Sequence, residues 1–267
     1  MNKVLAISIF AIFLSNYSWA QDAAADAALA KEAQNPIANI VSVPFLNSTN
    51  FGLGPDGGRT GNLLNFQPVI PFFNGRLITR TIFAIPSNPD YGEISGSKTG
   101  FGDILFSAFY APKSKGLTWG VGPAISFPTG RDDFGSGKWA AGPSLVVLAM
   151  PGKWVVGGVI NNIWSFAGDE SRSDVNFMTF QPFINYNFPK FYLTYSPIWT
   201  ANWEAESGNQ WTVPLGMGIG KVVKLGGKQP LNLNANYFYN VVSPTFGATS
   251  HLRIAAVLLL PTSVHKK

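Results

Sequence analysis

Between Leu231 and Val241 the chain alternates with a period of two. Leu231, Leu233, Ala235, Tyr237, Tyr239 and Val241 fall on one face. Asn232, Asn234, Asn236 and Asn240 fall on the other, interrupted only by Phe238. A helix would scatter these asparagines around its circumference, whereas a strand gathers them on one side. An apolar, aromatic face opposed by uncharged amides suits a strand with lipid on one side and a neutral polar lumen on the other. That pattern predicts an all-β, transmembrane antiparallel barrel.

The same division recurs. Leu64, Phe66, Ile70 and Phe72 oppose Asn65 and Gln67; Met178, Phe180, Ile184, Tyr186 and Phe188 oppose Thr179, Gln181, Asn185 and Asn187. Leu193, Tyr195, Trp199 and Trp203 oppose Thr194, Ser196, Thr200 and Asn202. The stretch from Trp154 to Phe166 gives no clear inside and outside. Twelve strands are predicted, at about 40–53, 61–73, 76–86, 100–112, 117–128, 139–150, 154–167, 175–188, 191–203, 211–223, 230–242 and 250–260. Each is near the 9–11 residues a tilted membrane strand needs.

The connections alternate in length. Short ones fall at Asn74-Gly75, 113–116, 151–153, 189–190 and 224–229; long ones at 54–60, 87–99, 129–138, 168–174, 204–210 and 243–249. Outer-membrane barrels have short periplasmic turns and longer outer loops, and an even strand count returns both ends to the periplasmic side. Charge follows the same division. Asp56, Asp90, Glu93, Asp132, Asp133, Asp169, Glu170, Asp174, Glu204 and Glu206 fall in long loops, and Lys113, Lys115, Lys153, Lys190, Lys224 and Lys228 in short turns. General loop polarity would not separate the signs. Trp119, Trp139, Trp154, Trp164, Trp199, Trp203 and Trp211 lie near strand ends, where amphipathic rings favour membrane interfaces. Against the barrel stand Pro44, Pro68, Pro123, Pro143, Pro182, Pro197 and Pro214, each inside a predicted strand. Proline removes a ladder donor, so bulges or gaps are expected.

Composition narrows the chemistry. Charged residues are 12% of the 267, and 46% are hydrophobic, which excludes disorder. The absence of Cys excludes disulfides, thiolate metal sites and a Cys nucleophile. The net charge of +5 forms no basic block, so nucleic acid is not an expected partner. Residues 1–20 read as a secretory signal: Lys3, an apolar Val4–Leu14 and the small-x-small site Ser18-Trp19-Ala20. Residues 21–36 read as a helical or disordered periplasmic segment or plug, ended by Asn35-Pro36, and 37–267 as the barrel.

Segments Ala30–Asn39, Asn65–Pro71, Gly135–Trp139, Asn162–Gly168, Gln181–Asn187 and Thr200–Glu206 together resemble a bacterial outer-membrane family. It is often labelled "neuromedin U" or "transporter" and is similar to barrels associated with phenol meta-pathway degradation. The resemblance spans nearly the whole mature chain. It implies an outer-membrane barrel and a passage for small molecules, and brings no catalytic or ligand residues with it.

Neither catalysis, a metal nor a cofactor is expected. No Ser follows two residues after His251, as the His-x-Ser pair of outer-membrane phospholipases would require, and His251 reads as a loop-rim residue. The acidic pairs lack calcium-loop spacing. Gly216, Gly218 and Gly220 alternate on one face and leave room beside a lumen or a neighbouring strand. The candidate lumen and selectivity residues are Asn65, Gln67, Arg76, Arg80, Asp103, Gln181, Asn185, Asn232, Asn234, Asn236 and Arg253. Arg80 or Arg253 paired with Asp103 would form either a lumen bridge or a constriction filter. The expected partners are outer-membrane lipid and lipopolysaccharide, the barrel assembly machinery during biogenesis, and an unidentified small solute. The leading reading is a channel or transporter for small solutes through a polar lumen. The alternatives are a closed structural or lipid-interacting barrel, and an outer-membrane lipid enzyme.

Overall fold

In lipid, every main-chain N–H and C=O must find a partner within the protein, and a sheet does so only by closing on itself. The computed structural model describes residues 28–89, 98–131, 133–226 and 229–260. The expected signal sequence, Asp22 to Ala27, Asp90, Glu93, Asp132, Lys228 and the tail from Pro261 lie outside the described residues. The chain is a closed antiparallel barrel of twelve strands. They are β1 (Val41–Leu53), β2 (Arg59–Phe66 and Val69–Phe72), β3 (Leu77–Asn88), β4 (Lys98–Thr99 and Ile104–Tyr110), β5 (Leu117–Phe127) and β6 (Lys138–Ala149). The second half comprises β7 (Trp154–Gly168), β8 (Asn176–Asn187), β9 (Tyr192–Tyr195 and Trp199–Asn202), β10 (Trp211–Leu225), β11 (Gln229–Val242) and β12 (Ser250–Leu260). Each strand pairs with its neighbours in sequence, and β12 pairs with β1 from Val41↔Leu260 to Phe51↔Ser250, which closes the ring.

The alternation holds as predicted in β11. Tyr237 and Tyr239 are 54% and 58% exposed on the outer face, while Asn232, Asn236 and Asn240 are buried within. Outer aromatic rings gather at both rims. Trp154, Tyr186, Phe188 and Phe191 form a chain of contacts with centroids 4.7–4.8 Å apart beside the short turns. Trp203–Trp211 and Phe127–Trp139 pair at 5.3 and 5.2 Å beside the long loops. Rings at these two levels suit the membrane interfaces.

Proline is accommodated in three ways. Pro68 and Pro197 fall in the gaps that divide β2 and β9. Pro214 sits at a register shift against β11. Pro123 and Pro143 face one another across β5 and β6, each beside a gap in the pairing with the other neighbour, β4 for Pro123 and β7 for Pro143. At the first short turn, Phe73, Asn74 and Gly75 all take positive φ (51°, 57° and 78°), so the Asn-Gly turn forms with Phe73 recruited into it.

The charge division also holds among the described residues. Lys113, Lys115, Lys153 and Lys190 are exposed in short turns, while Lys224 lies near the end of β10. The long-loop rim contains the ion pairs Arg59–Asp56 (3.2 Å), Lys98–Asp133 (3.0 Å) and Lys138–Asp174 (3.3 Å).

Candidate functional site: the divided lumen

The inner wall has two chemically different sides. On one, Val69, Ile78, Phe109, Val146, Leu148, Val155, Val159 and Phe183 pack together inside the barrel. A second inner cluster joins Ala124, Ala140 and Ile163 to Leu105, Val175 and Phe177. This explains β7: Val155, Val159 and Ile163 point inward while Val156, Ile160 and Trp164 face out, so both faces are apolar.

On the other side the wall is polar. Gln181 Nε2 donates to Ser196 Oγ at 2.9 Å, Tyr192 O–H donates to Asn232 Oδ1 at 2.8 Å, and Asn236 Nδ2 donates to Asn234 Oδ1 at 2.7 Å. Gly220 is what lets Tyr192 lie there: a Cβ on Gly220 would stand 2.1 Å from the Tyr192 ring. The alternating glycines thus make the predicted room, here for a lumen side chain. Between the polar side and the apolar packing lies a cavity of about 190 Å³. It is bounded by Gln67, Arg80, Gln181, Asn185, Asn232, Asn234, Asn236 and Arg253 among others.

The two arginines differ in their surroundings. Arg80 Nη2 donates to Gln67 Oε1 at 2.8 Å. Arg253 donates to the Ser196 carbonyl, at the gap that divides β9, and its guanidinium lies 4.9 Å from the Phe238 ring centroid. The Ser196 carbonyl, left without a ladder partner by the strand break, is thereby satisfied from inside.

Residues 28–38 lie against the short-turn end of the lumen. A helical turn at 28–32 leads into Gln34, whose side chain exchanges hydrogen bonds with that of Asn187 at 2.7 and 3.3 Å. Lys31 donates to the Gly152 carbonyl of a short turn, and Ile37 is buried in the larger apolar cluster. Ala33, Gln34, Asn35 and Pro36 form part of the cavity wall. Beside them Glu32 faces a crevice of Ala33, Asn35, Ala38, Ile40, Ser42, Val69 and Leu259, and burial raises its carboxyl above the usual range.

Of the eleven predicted residues, Gln67, Arg80, Gln181, Asn185, Asn232, Asn234, Asn236 and Arg253 meet at this cavity. Asn65 is on the inner face, in register with Leu46 and Ala84, but away from the cavity. Arg76 corrects the prediction: it is exposed in the turn before β3, because the strand alternation does not extend into that turn. Asp103 is a second correction. Its carboxylate accepts from Gly130 N–H (2.9 Å), Ser136 N–H (2.7 Å) and Ser136 O–H (2.6 Å), fixing the loop between β5 and β6. It pairs with neither Arg80 nor Arg253. His251 is a third, since it lies on the inner face of β12 rather than in a loop, with its ring 4.9 Å from Phe238. Tyr192, Gln34 and Ile37 are not singled out by the sequence, and Asn187 is placed on the polar face but not among the candidate lumen residues. Tyr192 shares a parity with Thr194 and Ser196, which was the available signal.

A closed twelve-stranded ring with an apolar outer face and a partly polar interior defines an outer-membrane β-barrel. The chain belongs to the family described as "Putative MetA-pathway of phenol degradation", which it matches over residues 48–245. Among solved structures it is similar to the COG4313 outer membrane channel from Pseudomonas putida F1, with TM-score 0.58 and 18% identity, covering 83% of this chain and 94% of that one. It is also similar to the NanC porin, with TM-score 0.53 and 11% identity, covering 82% of this chain and 98% of that one. No curated protein matches the sequence.

Proposed function

We propose that the protein is an outer-membrane channel for small solutes, whose path follows the polar side of the lumen. The observation that supports this most strongly is the cavity between Gln67, Gln181, Asn185, Asn232, Asn234 and Asn236. Amides there would replace water around a passing solute, while the apolar side fills the rest of the bore. The fold likeness to outer-membrane channels agrees with this reading. In this conformation residues 28–38 act as a plug, and transport requires their displacement. Lipid and lipopolysaccharide meet the apolar outer face, and the barrel assembly machinery inserts the chain.

Planar-bilayer recording tests the reading on refolded full-length protein and on a variant lacking residues 22–36. Small or rare currents from the full chain and larger, sustained ones from the deletion are expected. No current from either would overturn the channel. The second reading, a closed structural barrel, is favoured by one observation: Ile37 is packed into the apolar cluster as a core residue would be.

A further inference from the structure

Two cationic side chains border one cavity, and among the described residues neither Arg80 nor Arg253 has a carboxylate partner. All three ion pairs found among those residues lie at the long-loop rim. No Asp or Glu is among the residues bounding the cavity. A charge held within a membrane barrel requires a counter-charge, ordered dipoles or water. A guanidinium has five N–H donors, and one hydrogen bond is accounted for at each arginine.

The same cavity has the opposite shortage at its amides. Asn185 is 4% exposed and Asn236 2% exposed, and both side-chain oxygens lack a donor among the described residues. Phe183, Val159, Ile198 and Val257 border the cavity too, giving it an apolar flank. The combination is specific. It offers N–H donors on positive charges for an anion, free amide oxygens for a hydroxyl, and apolar surface for a short carbon frame.

We propose that this cavity is a binding subsite for a small hydroxy-carboxylate, with Arg80 and Arg253 receiving the carboxylate and Asn185 and Asn236 receiving the hydroxyl proton. The proposal rests on the channel reading for its role in transport, but binding itself does not require conduction. Planar guanidinium groups match a carboxylate in a bidentate geometry that a lysine could not reproduce.

The test uses the refolded full-length protein in detergent micelles, with the temperature at which its gel mobility changes as the readout. L-lactate is the probe; propionate lacks the hydroxyl and 1,2-propanediol lacks the charge. Lactate should raise the transition temperature at lower concentration than propionate, by several fold, and propanediol should leave it unchanged. Arg80→Gln should abolish the lactate shift. Because Arg253 also supports the β9 gap, Arg253→Lys is paired with it and should weaken the shift while the barrel still folds. Protection by propanediol equal to that by lactate, or a lactate shift that survives in Arg80→Gln, would overturn the subsite. In planar bilayers, a reversal potential favouring chloride over potassium that is lost in Arg80→Gln would support it further. Absence of current alone would speak against the channel and leave the binding result decisive for the subsite.

Discussion

The two sides of the lumen are built on the same sheet from strands of similar length, yet they solve different problems. From β4 to β7 the inner wall buries Phe109, Val146, Leu148, Val155 and Ile163, as a soluble core does. From β8 through β12 it presents amides and hydroxyls that pair with one another along the wall. The difference shows that a barrel of this size need not be uniformly wet. One side supplies close packing against Ile37, and the other leaves a cavity whose polar groups are only partly satisfied.

The largest contrast should come from reversing the chemistry of each side. Leu148→Asn removes a side chain that is 1% exposed from the apolar cluster and leaves an amide there without partners. It should cost about 3–5 kcal/mol, read as the urea midpoint of the refolded protein in vesicles. Asn234→Leu on the polar side removes the acceptor of the Asn236 amide and should shift that midpoint by only about 1–2 kcal/mol. Equal effects would break the contrast.

A smaller effect, about 1–3 kcal/mol, is expected from Gly220→Ala, whose methyl would drive the Tyr192 ring from its place over the strand. Fluorescence and heat-modifiability would report it, and Tyr192→Leu in the same background should recover part of the loss. Smaller again is Gln34→Ala, which removes the reciprocal amide contact with Asn187. It should loosen residues 28–38 by about 0.5–1.5 kcal/mol per hydrogen bond and raise the open probability without altering barrel stability.

The smallest effect is on pH. Burial raises the Glu32 carboxyl, so its contribution to docking is complete below the free carboxylate value and is lost as pH rises through the raised one. No residue bordering its crevice is titratable, so the neighbours do not offset the change. Current through the full chain should therefore increase as pH rises across the range just above the usual carboxylate value. Glu32→Gln should flatten that dependence; an unchanged profile would assign the gating proton elsewhere.

The same two sides mark how much was legible in the sequence. β11 could be read directly because its inner face is amide and its outer face aromatic. β7 could not, because Val155 faces the core and Val156 faces lipid, and periodicity cannot distinguish two apolar environments. The lumen residues of β8, β11 and β12 followed from parity. Parity assigns a face and not a height, and Asp103 stands just before its strand resumes, which is why it meets the loop at Gly130 and Ser136 and not the arginines. Arg76 failed because the alternation was carried past the end of its strand into a turn. Tyr192 is assigned to neither face by the sequence, although it shares a parity with Thr194 and Ser196 and Gly220 opposite leaves room for its ring. The placement of residues 33–38 against the lumen depends on contacts across more than 100 residues, such as Gln34 with Asn187, and no local pattern encodes these.

Since the chain contains no cysteine, single cysteines can map the aqueous side of the bore without background. Asn234→Cys and Thr194→Cys, compared with Val146→Cys and Leu148→Cys, should be exposed to a charged, membrane-impermeant thiol reagent in vesicles containing the variant lacking residues 22–36. The account predicts that the first pair reacts and the second stays protected until the barrel is unfolded. Rapid labelling of Val146→Cys and Leu148→Cys in the folded barrel, with Asn234→Cys and Thr194→Cys protected, would contradict it.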